Sequence, residues 1–314
     1  MNDVFLWCEK YRPNTIEECV LSQELTNTFK SIVRKKKIPN MILSGAAGCG
    51  KTTVARALCK ELNADMMFIN GSDESGIDVL RTKIKSFAST SSLNGTSKVV
   101  ILDEADYLNP QSTQPALRSF MEEYSSNCTF ILTCNFKNKI ISPLHSRCTI
   151  VDFTIQQSDK KILAKNIFLR IKKILIAENI PHDDKVLSQA LLKFFPDFRR
   201  FINELQRFST THGEISEGIL SANVNLDVAS LFRVLKGKHY SDIRTWVVEN
   251  MNNDSSSLYR QIYDASWKYM KPESVPQLVL LVSEYQYKSA FAVDPEVNLL
   301  AFLTEVVASC EFRD

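Results

Sequence analysis

The stretch Met41-Ile42-Leu43-Ser44-Gly45-Ala46-Ala47-Gly48-Cys49-Gly50-Lys51-Thr52-Thr53-Val54-Ala55-Arg56-Ala57 decides the fold. Its apolar opening, Met41 to Leu43, is long enough only for a buried strand. Gly45 to Thr52 has the spacing GxxxxGK[ST] of a phosphate-binding loop. Thr53 to Leu62 then reads as a helix with few breakers. Strand, glycine loop and helix, in that order, are the context this spacing needs. The glycines keep Cβ atoms away where the backbone must wrap phosphates. Backbone N–H groups at the helix start add positive potential. Lys51 is the point charge for the β- and γ-phosphates, and Thr52 supplies a hydroxyl for Mg²⁺.

Further along, Val99-Val100-Ile101-Leu102 runs into Asp103-Glu104-Ala105-Asp106. Four apolar β-formers ending in adjacent carboxylates, at a parallel strand's C-terminus, would sit beside the glycine loop. Successive strand residues face opposite sides, so the two acids can take different jobs. Asp103 would hold Mg²⁺ through its water shell, and Glu104 would polarise an attacking water as base. Asn135 ends another apolar run, Thr129 to Cys134. It reads either as an amide bridging water and γ-phosphate or as a turn former.

Met66 to Ile69 and Ile150 to Phe153 complete five apolar strands spaced by helices, which predicts a three-layer α/β domain. Gln23 to Lys36 is an expected helix closed by Arg34-Lys35-Lys36-Lys37, read as a solvated helix end in preference to a DNA contact. The helix after Asn70-Gly71-Ser72-Asp73 carries Arg81 and Lys85 four apart. They form either a stripe for a phosphate backbone or a plain solvated face. Ser89 to Lys98 reads as a polar loop. Asn109 and Pro110 predict a helix start as cap and first residue, with Pro115 either kinking that helix or restarting it. The N-terminal Trp7 to Pro13 is expected to be extended, because Pro13 breaks a helix and constrains Arg12. It either walls an adenine pocket or packs on the surface.

From Ser158 the pattern is helical only. Asp197 is a plausible cap, with Arg199 in the first turn behind it, either facing an anion or lying on the surface. Asn223 to Asp227 reads as a linker. The apolar helical tail beyond it is an oligomerisation module or a domain with its own core. The expected domains are 1–155, 156–222 and 223–314.

The chain has 314 residues, a net charge of +2 and 44% hydrophobic residues, so any basic surface must be local. Without a membrane-length apolar run or a signal-peptide pattern, a cytoplasmic protein with no membrane partner is expected. Eight scattered cysteines form no CxxC pair and read as reduced thiols rather than metal ligands. Cys49, at a helix start, is either a thiol of lowered pKa or a tolerated small residue.

Taken together, Glu9-Lys10-Tyr11-Arg12-Pro13, the glycine loop, Asp103 to Asp106 and Ser146-Arg147-Cys148 resemble, in this order, the sliding-clamp loaders, AAA+ ATPases of the replication-factor-C type. Asp65 to Asp73, Met121 to Cys128 and Phe195 to Arg199 look most like the large subunits of T-even-type phages. The resemblance implies an AAA+ domain, a helical lid and an all-α collar. It implies ATP and Mg²⁺ as ligands, and DNA-stimulated hydrolysis used to open a ring clamp and place it on primer–template DNA. The implied partners are the clamp, the DNA, and copies of this chain with a smaller subunit, four plus one, in the cytoplasm of a phage host. Cys8, Glu9, Lys10, Tyr11, Arg12 and Val20 would lie on the adenine side. Gly48, Cys49, Gly50, Lys51, Thr52 and Thr53 would hold the phosphates. Asn135 and Arg199 resemble the two sensor residues. Arg147 resembles the arginine finger that enters a neighbour's site, with Arg118 also acting in trans. Ser75-Gly76 stands where relatives commonly carry a basic DNA-coupling residue; Arg81 or Lys85 replaces it, or the coupling differs. Two other readings are a non-hydrolysing ATP-binding scaffold and a helicase-loading or remodelling AAA+ ATPase. The second should lack both the Ser-Arg-Cys motif and the collar.

Overall fold

The computed structural model describes residues 5–73, 76–90, 97–221, 228–250, 255–289 and 291–313. Ser75 of the unusual Ser75-Gly76 pair, most of the expected 89–98 loop and the expected 223–227 linker lie outside these. The chain divides into two units, 1–220 and 221–314.

The first unit opens with a one-turn helix α1 (Trp7–Lys10), then α2 (Gln23–Lys35), β1 (Met41–Ser44) and α3 (Lys51–Glu61). There follow β2 (Asp65–Asn70), α4 (Ile77–Ser89), β3 (Lys98–Asp103), α5 (Thr113–Glu123) and β4 (Cys128–Cys134). The short α6 (Ser142–His145) and β5 (Thr149–Asp152) complete the sheet layer. Three helices, α7 (Lys160–Ala177), α8 (Asp184–Phe194) and α9 (Phe198–His212), and the short α10 (Gly218–Ser221) follow. The five strands are parallel in the order β2-β3-β4-β1-β5.

Strand alternation builds the three layers. Met41, Leu43, Val99, Ile101 and Ile131 face one side, where they pack with Phe29 of α2 and Val54 and Leu58 of α3. Ile42, Val100, Leu102, Phe130 and Leu132 face the other, against Leu80 and Ile84 of α4, Leu117 and Phe120 of α5 and Leu144 of α6. Residues 41–43 of β1 and 99–102 of β3 are buried on both faces, so each stretch reads as an unbroken apolar run, whereas the edge strand β5 is mostly exposed.

Two local expectations are corrected. Trp7 to Lys10 is helical, not extended, since Pro13 lies far enough downstream to end the turn without preventing it. The helix expected from Pro110 starts at Thr113 instead. Asn109 Oδ1 accepts from Gln111 N at 2.8 Å and Ser112 N at 3.2 Å, closing a turn ahead of the helix. Pro115 then falls in the first helical turn, where no intrahelical N–H bond is needed.

The lid helices have their own apolar core, including Ile171, Leu187, Leu191, Phe201 and Leu205, and Trp7 of α1 is part of it. The second unit is helical: α11 (Val228–Gly237), α12 (Tyr240–Asn250), α13 (Ser255–Tyr269), α14 (Val275–Ser289) and α15 (Pro295–Ser309). Leu231, Trp246, Tyr259, Leu278 and Phe302 form its core. Among the described residues, no helix is long and apolar enough to cross a membrane.

Candidate nucleotide site

The glycine loop leaves β1 between its neighbours β4 and β5, and the C-terminal ends of β3 and β4 lie on the same edge. That edge of a parallel sheet is where crossover helices leave a crevice. Gly48 has φ +73°, and a Cβ there would stand 1.9 Å from Asp197 Oδ1, so the loop and the lid meet at a position only glycine fits. Gly50, φ +97°, turns the chain into α3. Lys51 is 7% exposed and donates from Nζ to Gly45 O, Ala46 O and Asn135 Oδ1, each at 2.8 Å.

Asp103 closes β3. Its Oδ1 accepts from Thr52 Oγ1 and from Thr133 Oγ1 of β4, both at 2.6 Å. Two hydroxyls and a carboxylate on the same edge are the hard oxygen donors that suit Mg²⁺. Glu104 does not alternate with Asp103 along a strand. It has already left β3 in the left-handed conformation, φ +54°, and its N–H donates to Thr133 Oγ1 at 3.1 Å. The two acids therefore differ by a backbone turn and line one pocket together.

Asn135 follows β4, and its N–H donates to Asp106 Oδ2 at 3.2 Å, as does that of Phe136. Asp106 is buried and so fixes the turn that delivers the Asn135 amide to Lys51. Cys49 is buried too. Burial pushes its thiol up and Lys51 offsets only part of this, so the lowered-pKa reading of Cys49 is overturned.

The pocket is walled by Cys8, Glu9, Tyr11, Arg12 and Val20 of the N-terminal arm, by Gly48, Cys49, Gly50, Lys51, Thr52 and Thr53, and by Asp103, Glu104 and Asn135. Lid residues Ile167, Arg170, Phe198, Arg199 and Ile202 complete it. Lys10 is not in this wall; it turns outward and pairs with Glu178 at 2.6 Å. Gly45 is not in it either and acts through its carbonyl on Lys51.

Arg147 and Arg118 lie outside the pocket but share one partner. Glu122 of α5 accepts from Arg147 Nε at 2.9 Å and from its Nη2, and Arg118 Nε lies 3.5 Å from the same oxygen. The Arg147 hydrogen bond, with Arg118 adding to it, holds the Glu122 carboxyl below its usual range. On α4, Arg81 is exposed and stands 3.7 Å from Asp78; Lys85 is exposed on the same helix.

Sequence reasoning missed Thr133, Asp106 and Arg170. A threonine inside the apolar Thr129 to Cys134 run was a signal, because a buried hydroxyl needs a partner. Asp106 was visible in the acidic motif without a role. Arg170, 159 positions from the carbonyl of Tyr11 that it holds, had no local signal.

Fold and site together define a P-loop ATPase with a helical lid lining the phosphate-loop pocket. Residues 41–154 match the family model "ATPase family associated with various cellular activities (AAA)". Residues 159–221 match "Sliding-clamp-loader large subunit, AAA+ ATPase lid domain". The sliding-clamp-loader large subunit of Enterobacteria phage T4 is 37% identical over 310 residues, 97% of this chain and 96% of the relative. A replication factor C small subunit of Methanosphaera stadtmanae is 31% identical over 95% of this chain and 96% of its own. In fold, the Thermotoga maritima RuvB Holliday junction branch migration motor superposes with a TM-score of 0.54 at 19% identity, covering 72% of this chain and 78% of that one. The chain belongs to the sliding-clamp-loader family of AAA+ ATPases; nucleotide binding and ATP hydrolysis are the family's chemistry.

Proposed function

We propose that this chain is the ATP-hydrolysing subunit of a clamp loader: it opens a ring clamp and sets it on primer–template DNA. The observation that carries the reading is the convergence of Lys51, Thr52, Asp103, Glu104 and Asn135 on one pocket while Arg147 lies outside it. Lys51 neutralises the β- and γ-phosphates. Thr52 and Asp103 are the residues that would hold Mg²⁺, which supplies Lewis-acid charge neutralisation when bound. Glu104 takes the proton of the attacking water, Asn135 orients that water, and Arg199 reaches the phosphates from the lid. Cys8, Glu9, Tyr11, Arg12 and Val20 receive the base.

Arg147, with Arg118 beside it, completes the site of an adjoining copy. A guanidinium delivered in trans makes hydrolysis report assembly, and it supplies about 10³–10⁵ in rate in related phosphoryl transfers. Arg81 and Lys85 meet the DNA backbone, and primed DNA stimulates hydrolysis. The working division is 1–155 for nucleotide binding, 156–222 for the lid and 223–314 for the collar that holds a pentamer of four copies and one smaller subunit, in the host cytoplasm. The intact Glu104 and Arg147 speak against a non-hydrolysing scaffold.

The test is steady-state ATP hydrolysis by the chain with its small partner subunit, with and without primed DNA and a ring clamp. Turnover rises with both. If neither changes the rate, the scaffold reading replaces this one.

A further inference from the structure

The N-terminal arm is anchored twice. Its later part belongs to the sheet layer: Lys60 Nζ donates to Asn14 Oδ1 at 2.8 Å, and Ile16 N donates to Glu61 Oε2 at 2.7 Å. Its first part belongs to the lid. Trp7 N donates to Gln206 Oε1 at 2.8 Å, Gln206 Nε2 donates to Phe5 O at 2.7 Å, and Glu178 accepts from Lys10 Nζ and from the Tyr11 hydroxyl. Arg170 of α7 reaches both passes of the arm. Its Nη2 donates to Tyr11 O at 2.8 Å and its Nη1 to Glu18 O at 2.7 Å.

We propose that Arg170 is the positioning residue for base recognition, fixing from the lid the separation between the two arm passes that wall the base side of the pocket. This rests on the reading of the pocket as an ATP site whose base lies against the arm. Tyr11, Val20 and Arg170 line the same cleft as the phosphate loop. A guanidinium is a rigid planar fork, so its two nitrogens set two carbonyls at a defined spacing; a lysine amine on a flexible stem cannot. Burial depresses the basicity of Arg170, and the neighbouring Cys19 and Glu18 offset only part of this. A partly buried cation held by two main-chain carbonyls is a costly way to add stability alone. What the arrangement supplies is geometry: the arm's first pass is bonded to the lid, and its distance from the second is held at one residue.

The experiment is direct binding of Mg-ATP, Mg-GTP and inorganic tripolyphosphate to the full chain, comparing wild type with Arg170→Ala and Arg170→Lys. In Arg170→Ala, ATP binding weakens by about tenfold or more, tripolyphosphate binding changes by less than about twofold, and the preference for ATP over GTP falls. Arg170→Lys lies between. An unchanged ATP preference in Arg170→Ala overturns the proposal, and so does an equal loss of tripolyphosphate, which makes Arg170 a general staple of the fold. A wild-type chain that binds ATP and GTP alike overturns instead the placement of the base against the arm. Should Arg170→Ala not fold, Arg170→Gln is read the same way.

Discussion

Lys51 Nζ and Asn135 Oδ1, 84 residues apart in the chain, are joined by a hydrogen bond of 2.8 Å. The phosphate-loop cation is thus oriented by the turn that leaves β4, and that turn is held by Asp106 through two main-chain amides. In the proposed reading, the same side-chain amide that steadies Lys51 also orients the attacking water. With the roles proposed, ground-state phosphate binding rests chiefly on the loop, and hydrolysis is the step that depends on Asn135.

Asn135→Ala should therefore lower kcat on the order of 10²-fold and leave ATP affinity nearly unchanged. Glu104→Gln should keep binding and cut turnover about 10²–10⁴-fold. Steady-state kinetics with a separate binding measurement tells these apart; an Asn135→Ala variant that loses affinity and keeps kcat would refute the assignment.

Gly48→Ala should weaken both the fold and nucleotide binding. The new Cβ meets Asp197 Oδ1 at 1.9 Å and its Cα at 3.2 Å, and the backbone stays at φ +73°. The left-handed strain alone costs about 1–2 kcal/mol. Asp197 caps α9 by accepting from Arg200 N at 3.0 Å, so it cannot swing aside freely. In a double-mutant cycle, Asp197→Gly should recover part of the Gly48→Ala loss. Strict additivity of the two melting-temperature changes would show that loop and lid do not touch there.

Arg147→Ala should slow hydrolysis only in the assembled oligomer. Assemblies mixed with a Lys51→Ala chain assign the defect to the neighbour's site. Glu122→Gln weakens the hold on Arg147 and Arg118 together, and should change the assembled rate while sparing ATP binding by the isolated chain. A rate fall in the isolated chain for either variant would place these arginines in their own site.

Glu178 yields a pH dependence. The Lys10 hydrogen bond first, and the Tyr11 hydroxyl second, hold its carboxyl below the ordinary value of 4.5. A depressed folded-state pKa adds stability above the unfolded value, and that stability is lost as pH falls through the folded one. The melting temperature of Glu178→Gln should lie below wild type at pH 7, by on the order of a few degrees, and the gap should narrow as pH falls below 4.5 and close only below the lower folded-state pKa. A gap that persists unchanged at low pH would mean that charge plays no part in tying the arm to the lid.

Much of the site was legible because its chemistry is local in sequence. Gly45 to Thr52 sits on one turn, and Asp103-Glu104 at one strand end. What misled was also local: alternation suggested that Glu104 faces away from Asp103, whereas a left-handed turn carries it off the strand. Asn109-Pro110 looked like a helix start because a capping side chain serves a turn and a helix by the same bonds.

By itself, then, the sequence determined the five apolar strands, the phosphate loop, the paired acids and the helical remainder, since hydrophobic period and glycine spacing act over a few residues. Tertiary structure alone decided that Thr133 bonds Asp103, that Asn135 meets Lys51, that Arg147 reaches Glu122, and that Arg170 joins the two passes of the arm. Each of these contacts spans strands or layers, and no spacing along the chain encodes which distant side chains the strand order and the packing of the lid will bring within hydrogen-bond reach.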